Sequence, residues 1–354
     1  MPGGVKAMNI LHRFSIRRIN NNCKAYNITV IFILIILLIL SITLSIGIGY
    51  SKISFSSIVS FLLSNGDSSS KEYQIINYVR IPRTLTATFV GCALSVSGLI
   101  LQSILNNPLA SPSIVGVNSG AGLFAILIVA FFPSYLGFIS IASFIGALIA
   151  TFLVYFIAKR TRASKTSIVL SGVAVSSFLN AIIDTILIIK PDSAMSRTYF
   201  LIGGFSGVTV ADLRLPVLFI VISVVIALGF GYDMNILSLG DETAKSLGLN
   251  VVRYRFLLIV VASLLAGSAI SIAGLIGFVG LIVPHIGRFI VGYNNRILIP
   301  VCALLGSIFT LFCDLLARTL FAPFEIPVGI VMSFLGGPFF IYLLSKQKRG
   351  FIDA

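Results

Sequence analysis

The sequence predicts an all-α polytopic membrane protein of about ten transmembrane helices in two inverted five-helix repeats. Three observations carry that prediction. The first is composition: 57% of the 354 residues are hydrophobic and only 10% charged, against roughly 25% charged in a soluble domain. Mean hydropathy is +1.07, so lipid must be the solvent for much of this surface. The second is an internal repeat. Gly91–Asn118 and Gly267–Asn294 align at an offset of 176, with twelve of 28 positions identical, including Gly91, Gly98, Pro108, Gly116 and Asn118. A repeat near half the chain length marks a duplicated bundle. The third is the distribution of Lys and Arg described below.

Residues 1–27 are polar and basic, with Lys6, Arg13, Arg17, Arg18 and Lys24 and no acid. The apolar run Ile28–Gly49 is long for a signal h-region and lacks a small-residue cleavage site. It reads as a first span entered from the cytoplasm. Residues 51–83 are polar around the loop signal Ser64–Ser68. A second span is expected from Pro82, a good first helical residue, to about Leu105, where Asn106-Asn107-Pro108 breaks it. Further spans are expected over 117–132, 137–158, 167–189, 215–231, 256–281, 284–293, 298–317 and 326–344. The seventh and eighth divide somewhere from Gly274 to Pro284. Residues 196–212 are too short and glycine-rich to cross, so a re-entrant or surface helix is expected there.

The organisation that follows is a cytoplasmic segment 1–27, one transmembrane domain 28–345 and a cytoplasmic tail 346–354. The repeats cover about 28–190 and 215–345. This topology places 17 Lys and Arg on one side and eight on the other. The excess marks the cytoplasmic side, with both termini there. Five spans per repeat turn the second copy upside down, an architecture of transporters with the pathway between repeats.

Composition also excludes functions. The +14 net charge marks cytoplasmic loops rather than nucleic-acid binding. Cys23, Cys92, Cys302 and Cys313 have no paired spacing, so neither a disulfide framework nor a metal site is expected. The two histidines, His12 and His285, cannot form a zinc centre. No nucleophile–base set and no Walker motif occurs, and the spaced glycines Gly274, Gly277 and Gly280 follow no strand. No catalysis and no cofactor are expected.

Four features could carry transport. Arg80 and Arg83 stand at the outer start of span two, where the helix dipole opposes them; an acidic partner from outside or the lipid headgroups would each account for them. Asp314 and Arg318 stand four apart on one helix, acid first, the favourable order for a pair. For Asp184 the sequence makes no local partner obvious, and the expectation is that it faces a water-filled cavity or meets a polar group on another helix. Asn107–Pro112 is irregular backbone, tolerated at membrane depth only where protein or a cavity buries it. The inner loop 233–255 interleaves Leu237, Leu239, Ala244, Leu247 and Leu249 with Asp241, Glu242 and Lys245. It reads as short amphipathic helices broken at Gly240 and Gly248, either packed on the bundle or docking a partner.

Several of these segments resemble the FecCD-like permease subunits of ABC importers for iron–siderophore complexes, haem and vitamin B12. The resembling runs are RIPR at 80–83, NPLASP from Asn107, LGDETAKSLGL at 239–249, GLIGFVGLIVPHIGR at 274–288 and EIPVGIVMSFLGGPFFIYLL at 325–344. The resemblance covers about residues 28–345. It implies two permease subunits around a central passage, two cytoplasmic ABC ATPases and an extracytoplasmic substrate-binding protein. Arg80, Arg83 and Arg318 would then meet acidic residues of the binding protein. Asn107 and Leu109 would close a cytoplasmic gate, with Ser164, Lys165 and Thr166 at a second constriction, where Lys165 departs from the usual small residues. Gly240, Glu242, Ala244, Leu247 and Gly248 would form the coupling surface for the ATPase. The expected cargo is an iron(III) siderophore, with haem or cobalamin alike in what they require, and the expected place is the prokaryotic cytoplasmic membrane. The competing expectation, an ion-coupled secondary transporter, would need a carboxylate relay, and Asp184, Asp314 and Glu325 are scattered.

Overall fold

The computed structural model describes residues 3–49, 70–160 and 164–350, and every regular element among them is helical. The loop signal at Ser64–Ser68, Lys52 and Arg162 lie outside the described residues. Helix α1 spans Gly3–Gly47, longer than the expected first span because no Gly or Pro interrupts it before Gly47. Forty-five helical residues would measure about 68 Å, so only the apolar stretch Ala25–Gly47 fits a bilayer. Helix α2 runs Lys71–Leu105 and starts eleven residues before the expected Pro82. Ser70 caps it, its Oγ accepting from the Tyr73 N–H at 3.2 Å. The helix reaches Pro82 through a π-helical turn at Ile76–Arg80. A proline inside a helix leaves a carbonyl one turn back without its donor, and the wider turn accommodates this without a break.

Then follow α3 (Val117–Phe131), α4 (Ile139–Arg160) and α5 (Lys165–Ile189). The glycine-rich stretch expected to re-enter contains only a nine-residue helix, α6 (Ala194–Ile202). Helix α7 (Val210–Gly229) starts at a Thr209–Asp212 capping box. The inner loop folds as read: α8 (Gly231–Ser238) and α9 (Asp241–Ser246) break at Gly240 and Gly248, both at positive φ. Helices α10 (Val251–Ala273), α11 (Val279–Val291), α12 (Asn295–Thr319) and α13 (Val328–Gly350) complete the chain. The α10–α11 break at 274–278 falls inside the expected window. Among the described residues seven helices are long and apolar enough to span, and Val117–Phe131, Val279–Val291 and Val328–Tyr342 are shorter apolar helices. The three shorter helices fall where three of the ten expected spans lie.

The two irregular stretches at membrane depth satisfy each other. Gly204 N–H donates to the Ala273 carbonyl at 2.8 Å, and Leu275 N–H to the Phe200 carbonyl at 2.9 Å. Non-helical backbone can persist in a bilayer only when its polar groups are paired in this way.

Helices α2 and α10 form the centre, each with 78% of its most apolar window buried, against 11% for α1 and 28% for α5 and α7. Helix α2 packs on α12, and α10 packs on α4. Exchanging the halves converts one contact into the other. It likewise converts α3–α4 into α11–α12, and α2–α11 into α10–α3. The central pair runs antiparallel. Arg83 near the start of α2 and Gly274 at the end of α10 line one cavity, while the opposite ends reach the α8–α9 loop through Asn106–Ser238 and Arg255–Asp241. Equivalent helices in opposite directions are what inverted repeats require.

The sequence register of the repeat is not the structural one. At the offset of 176, Gly98–Leu105 lies against Gly274–Leu281; the first is continuous helix and the second begins with the 274–278 bend. The same offset sets α3 beside the start of α12 rather than α11. The shared Gly, Pro and Ile therefore mark a common composition more than equivalent positions, and the inversion rests on the packing.

Close backbone approach fixes the core. A Cβ on Gly91 would collide with the Gly306 carbonyl of α12, and one on Gly98 with the Gly280 backbone of α11. Small residues serve this purpose where no hydrophobic effect drives helices together.

Candidate functional site: two polar ends of the bundle

One end is built on arginines. Arg80, the last residue of the π-turn, donates from Nη1 to the carbonyls of Ile46 and Gly47 at 2.6 and 2.7 Å. Arg318 of α12 donates from Nη2 to the Ser45 carbonyl at 2.9 Å and to its Oγ at 2.7 Å. These carbonyls belong to the last turn of α1, which lacks intrahelical donors and carries the negative end of the dipole. Arg83 Nε donates to Asp314 Oδ1 at 2.8 Å, and its Nη1 to Glu325 Oε2 at 2.6 Å. The expected Asp314–Arg318 pair is present at 3.4 Å, but neither atom of that contact has a hydrogen-bond partner. It is an ionic contact only, and Arg83 is the stronger partner of Asp314.

Docking was expected of these arginines through contact with acidic residues of a binding protein; within this chain they are held by its own carbonyls and acids. Arg80, Arg83 and Arg318 are 3%, 7% and 4% exposed and point into the chain. Four conditions that the sequence hides produce this: the length of α1, the π-turn, buried Asp314 and Glu325 on the α12–α13 connection. Of the two acids that hold Arg83, Glu325 is the one near the surface, its side chain 45% exposed against 0% for Asp314.

At the opposite end the predicted gate and coupling residues come together. Asn106 ends α2 in the left-handed region, and the Asn107 side chain accepts from the Leu109 N–H at 2.9 Å. Asn106 Nδ2 donates to the Ser238 carbonyl of α8 at 3.2 Å. Asn107 and Leu109 are exposed. Ser164 caps α5, Thr166 is exposed, and Lys165 pairs with Asp241 at 3.4 Å. Arg255 Nη2 holds the same Asp241 Oδ1 at 2.7 Å. Partial burial alone would raise the Asp241 pKa, but the hydrogen bond from Arg255 and the charges of Arg255 and Lys165 pull it below its ordinary value. On α9 only Ala244 is buried; Gly240 is half-buried, while Glu242, Leu247 and Gly248 are exposed.

Sequence reasoning missed a third group. Arg288 of α11 donates to Gln102 Oε1 at 2.6 Å, and Gln102 Nε2 donates to the Gly280 carbonyl at 2.9 Å. With Asn107, His285 and Tyr293 they line a cavity of about 580 Å³. Only the pairing of a glutamine in α2 with an arginine in the second repeat could have signalled it. His285 itself stands edge-on to Phe339 at 5.8 Å, a packing contact.

One exposed face of α5 carries polar groups among apolar ones. Ser177, Asn180 and Asp184 follow helical spacing and are exposed, as are Val173 and Leu170 on the same side. Polar and ionisable groups at this depth face water or protein, not lipid.

A bundle with inverted halves, exposed polar groups on α5 and charged ends is a transporter's plan, and comparison decides the family. The sequence profile of the FecCD transport family matches residues 36–346. The chain belongs to the FecCD transport family. The Fe(3+)-citrate import system permease protein YfmD of Bacillus subtilis (strain 168) is 40% identical over 280 residues, 79% of this chain and 84% of that one. The cobalamin import system permease protein BtuC of Halobacterium salinarum is also 40% identical, over 275 residues, 77% of this chain and 74% of that one. A metal-chelate-type ABC transporter solved in an inward-facing conformation superposes with a TM-score of 0.78 at 31% identity, covering 90% of this chain and 99% of that chain. This FecCD chain is thus a multi-pass membrane protein and the permease subunit of an ABC importer of the iron–siderophore, haem and cobalamin class. It is not the ATPase.

Proposed function

We propose that this chain and a second permease subunit form the passage of an importer that carries an iron(III) siderophore into the cytoplasm. The observation that carries the reading is the exposed face of α5 with its polar groups, which lipid cannot solvate and which a facing subunit would enclose as an aqueous path. The gate is formed by Asn107 and Leu109 after α2 and by Ser164, Lys165 and Thr166 before α5. ATPase subunits engage Gly240, Glu242, Leu247 and Gly248 around α9, with Ala244 seating that helix on the bundle. Both termini lie in the cytoplasm, and the arginine end faces outward.

A substrate-binding protein docks at that outer end. Arg80 and Arg318 hold α1, and Arg83 is the point of exchange, because a partner carboxylate reaches it by displacing Glu325. The two relatives at 40% identity are named for ferric citrate and for cobalamin, so identity alone does not rank cargoes. A ferric siderophore is the reading put forward, as the commonest cargo implied by the family. The test is uptake of a panel of ferric hydroxamate, ferric catecholate, ferric citrate, haem and cobalamin by the complete importer. A siderophore should be transported at the lowest concentration; uptake of haem or cobalamin alone would refute the cargo assignment.

A further inference from the structure

The ion pair between Lys165 and Asp241 joins the start of α5 to the start of α9. A lysine at the first residue of a helix faces the positive end of the dipole, and its neighbours Ser164 and Thr166 carry no charge. The acid that offsets it belongs to a different element. Asp241 cannot simply follow Lys165, because Arg255 of α10, its side chain 3% exposed, grips the same oxygen. Lys165 is therefore the arm that reaches across, and Asp241, the first residue of α9, is held by Arg255 in the present placement of that helix. Helix α9 turns Glu242, Thr243, Lys245 and Ser246 outward, so whatever presses on that surface meets α9 first.

We propose that Lys165 is a positioning residue that transmits displacement of α9 to α5 through its ion pair with Asp241. The proposal rests on the importer reading above. Displacement of α9 carries Asp241 with it, and the attraction on the Lys165 ammonium weakens with distance. The pair thus favours the placement of α5 that matches the present placement of α9. Each side chain is about one-third exposed, so the contribution is modest and sensitive to salt.

The experiment uses the complete importer in liposomes and reads cargo taken up per ATP hydrolysed. Wild type, Lys165→Ser and Lys165→Arg are compared at about 0.01 M and about 1 M salt, where the screening length falls from about 30 to about 3 Å. Lys165→Ser should take up about two- to five-fold less cargo per ATP at low salt, the range an exposed pair supplies. Lys165→Arg should match wild type. High salt should lower wild type by a larger factor than Lys165→Ser, so that the two converge. Equal ratios for wild type and Lys165→Ser, a Lys165→Arg variant as poor as Lys165→Ser, or identical salt responses would each overturn the proposal. A wild-type importer that moves no cargo with ATP would instead overturn the importer reading, and the proposal with it.

Discussion

Asp314 is fully buried and serves two arginines, whereas Glu325 serves one of them from the rim. Their substitutions should differ sharply. Asp314→Asn leaves Arg83 and Arg318 short of charge in the interior and should cost about 3–5 kcal/mol, as breaking buried pairs does, read as a large fall in thermal stability of the purified protein. Glu325→Gln should cost at most about 1 kcal/mol. Because it removes the carboxylate that competes for Arg83, it should also strengthen docking of the binding protein several-fold; weakened docking would show that Glu325 contacts the partner itself. The sequence revealed the Asp314–Arg318 pair because four residues on a helix bring side chains together. It could not reveal Arg83–Asp314, which depends on how α2 lies against α12. For the same reason it could not reveal that the carbonyls and acids satisfying the arginines come from α1, α12 and the α12–α13 connection. At the inner end the depressed Asp241 pKa fixes a sign. A carboxyl with a lowered folded pKa stabilises the protein above its unfolded value and loses that contribution as pH falls through the folded one. The α9 anchorage should therefore hold through neutral and mildly acidic pH and weaken only below the ordinary aspartate range, near 3.9. Loss of uptake at pH 6 would have to arise elsewhere.

The helices as elements were legible from apolar runs and from Gly, Pro and Asn breaks. The α8–α9 loop broke where Gly240 and Gly248 placed it, because both adopt a positive φ that other residues resist. The starts of α1 and α2 were not legible, since polar residues extend a helix beyond the membrane wherever nothing breaks it. Helix contacts give a second expectation. Gly98→Val would drive side-chain atoms into the Gly280 backbone and disturb the Gln102–Gly280 hydrogen bond. Overpacking of this kind costs about 1–3 kcal/mol and more where the obstacle is backbone, so the melting temperature in detergent should drop by several degrees or the protein should fail to accumulate. A valine at Gly137, where a Cβ meets nothing within 4 Å, should be neutral. On α9, Glu242→Trp should leave the bundle folded, because that side chain is exposed, yet separate ATP hydrolysis from uptake; Gly248→Trp should do the same while straining the loop at its positive φ. Normal transport by both variants would show that this loop is not the coupling surface.

At the scale of the molecule, the inverted plan explains why one chain carries different chemistry at its two ends. The arginine ties, π-turn and α12–α13 connection gather at one mouth; Asn107, the start of α5 and α9 gather at the other. The duplication was visible in the sequence, but its register was not: glycine, proline and isoleucine recur wherever helices pack closely in lipid, and a shared composition can align at a wrong offset. The packing of α2 on α12 and of α10 on α4 supplies the register instead. The proposed second subunit over α5 answers the exposure of Ser177 and Asn180 on a helix apolar enough to span. The central claim is that a separate nucleotide-driven motor opens this passage. It is tested most directly by cargo uptake into liposomes containing the permease with or without its ATPase subunits, with binding protein and cargo outside and nucleotide supplied on the ATPase side, in the presence and absence of a proton gradient. The account predicts uptake that requires the ATPase and hydrolysable ATP and is indifferent to the gradient; uptake by the permease alone, driven by the gradient, would contradict it.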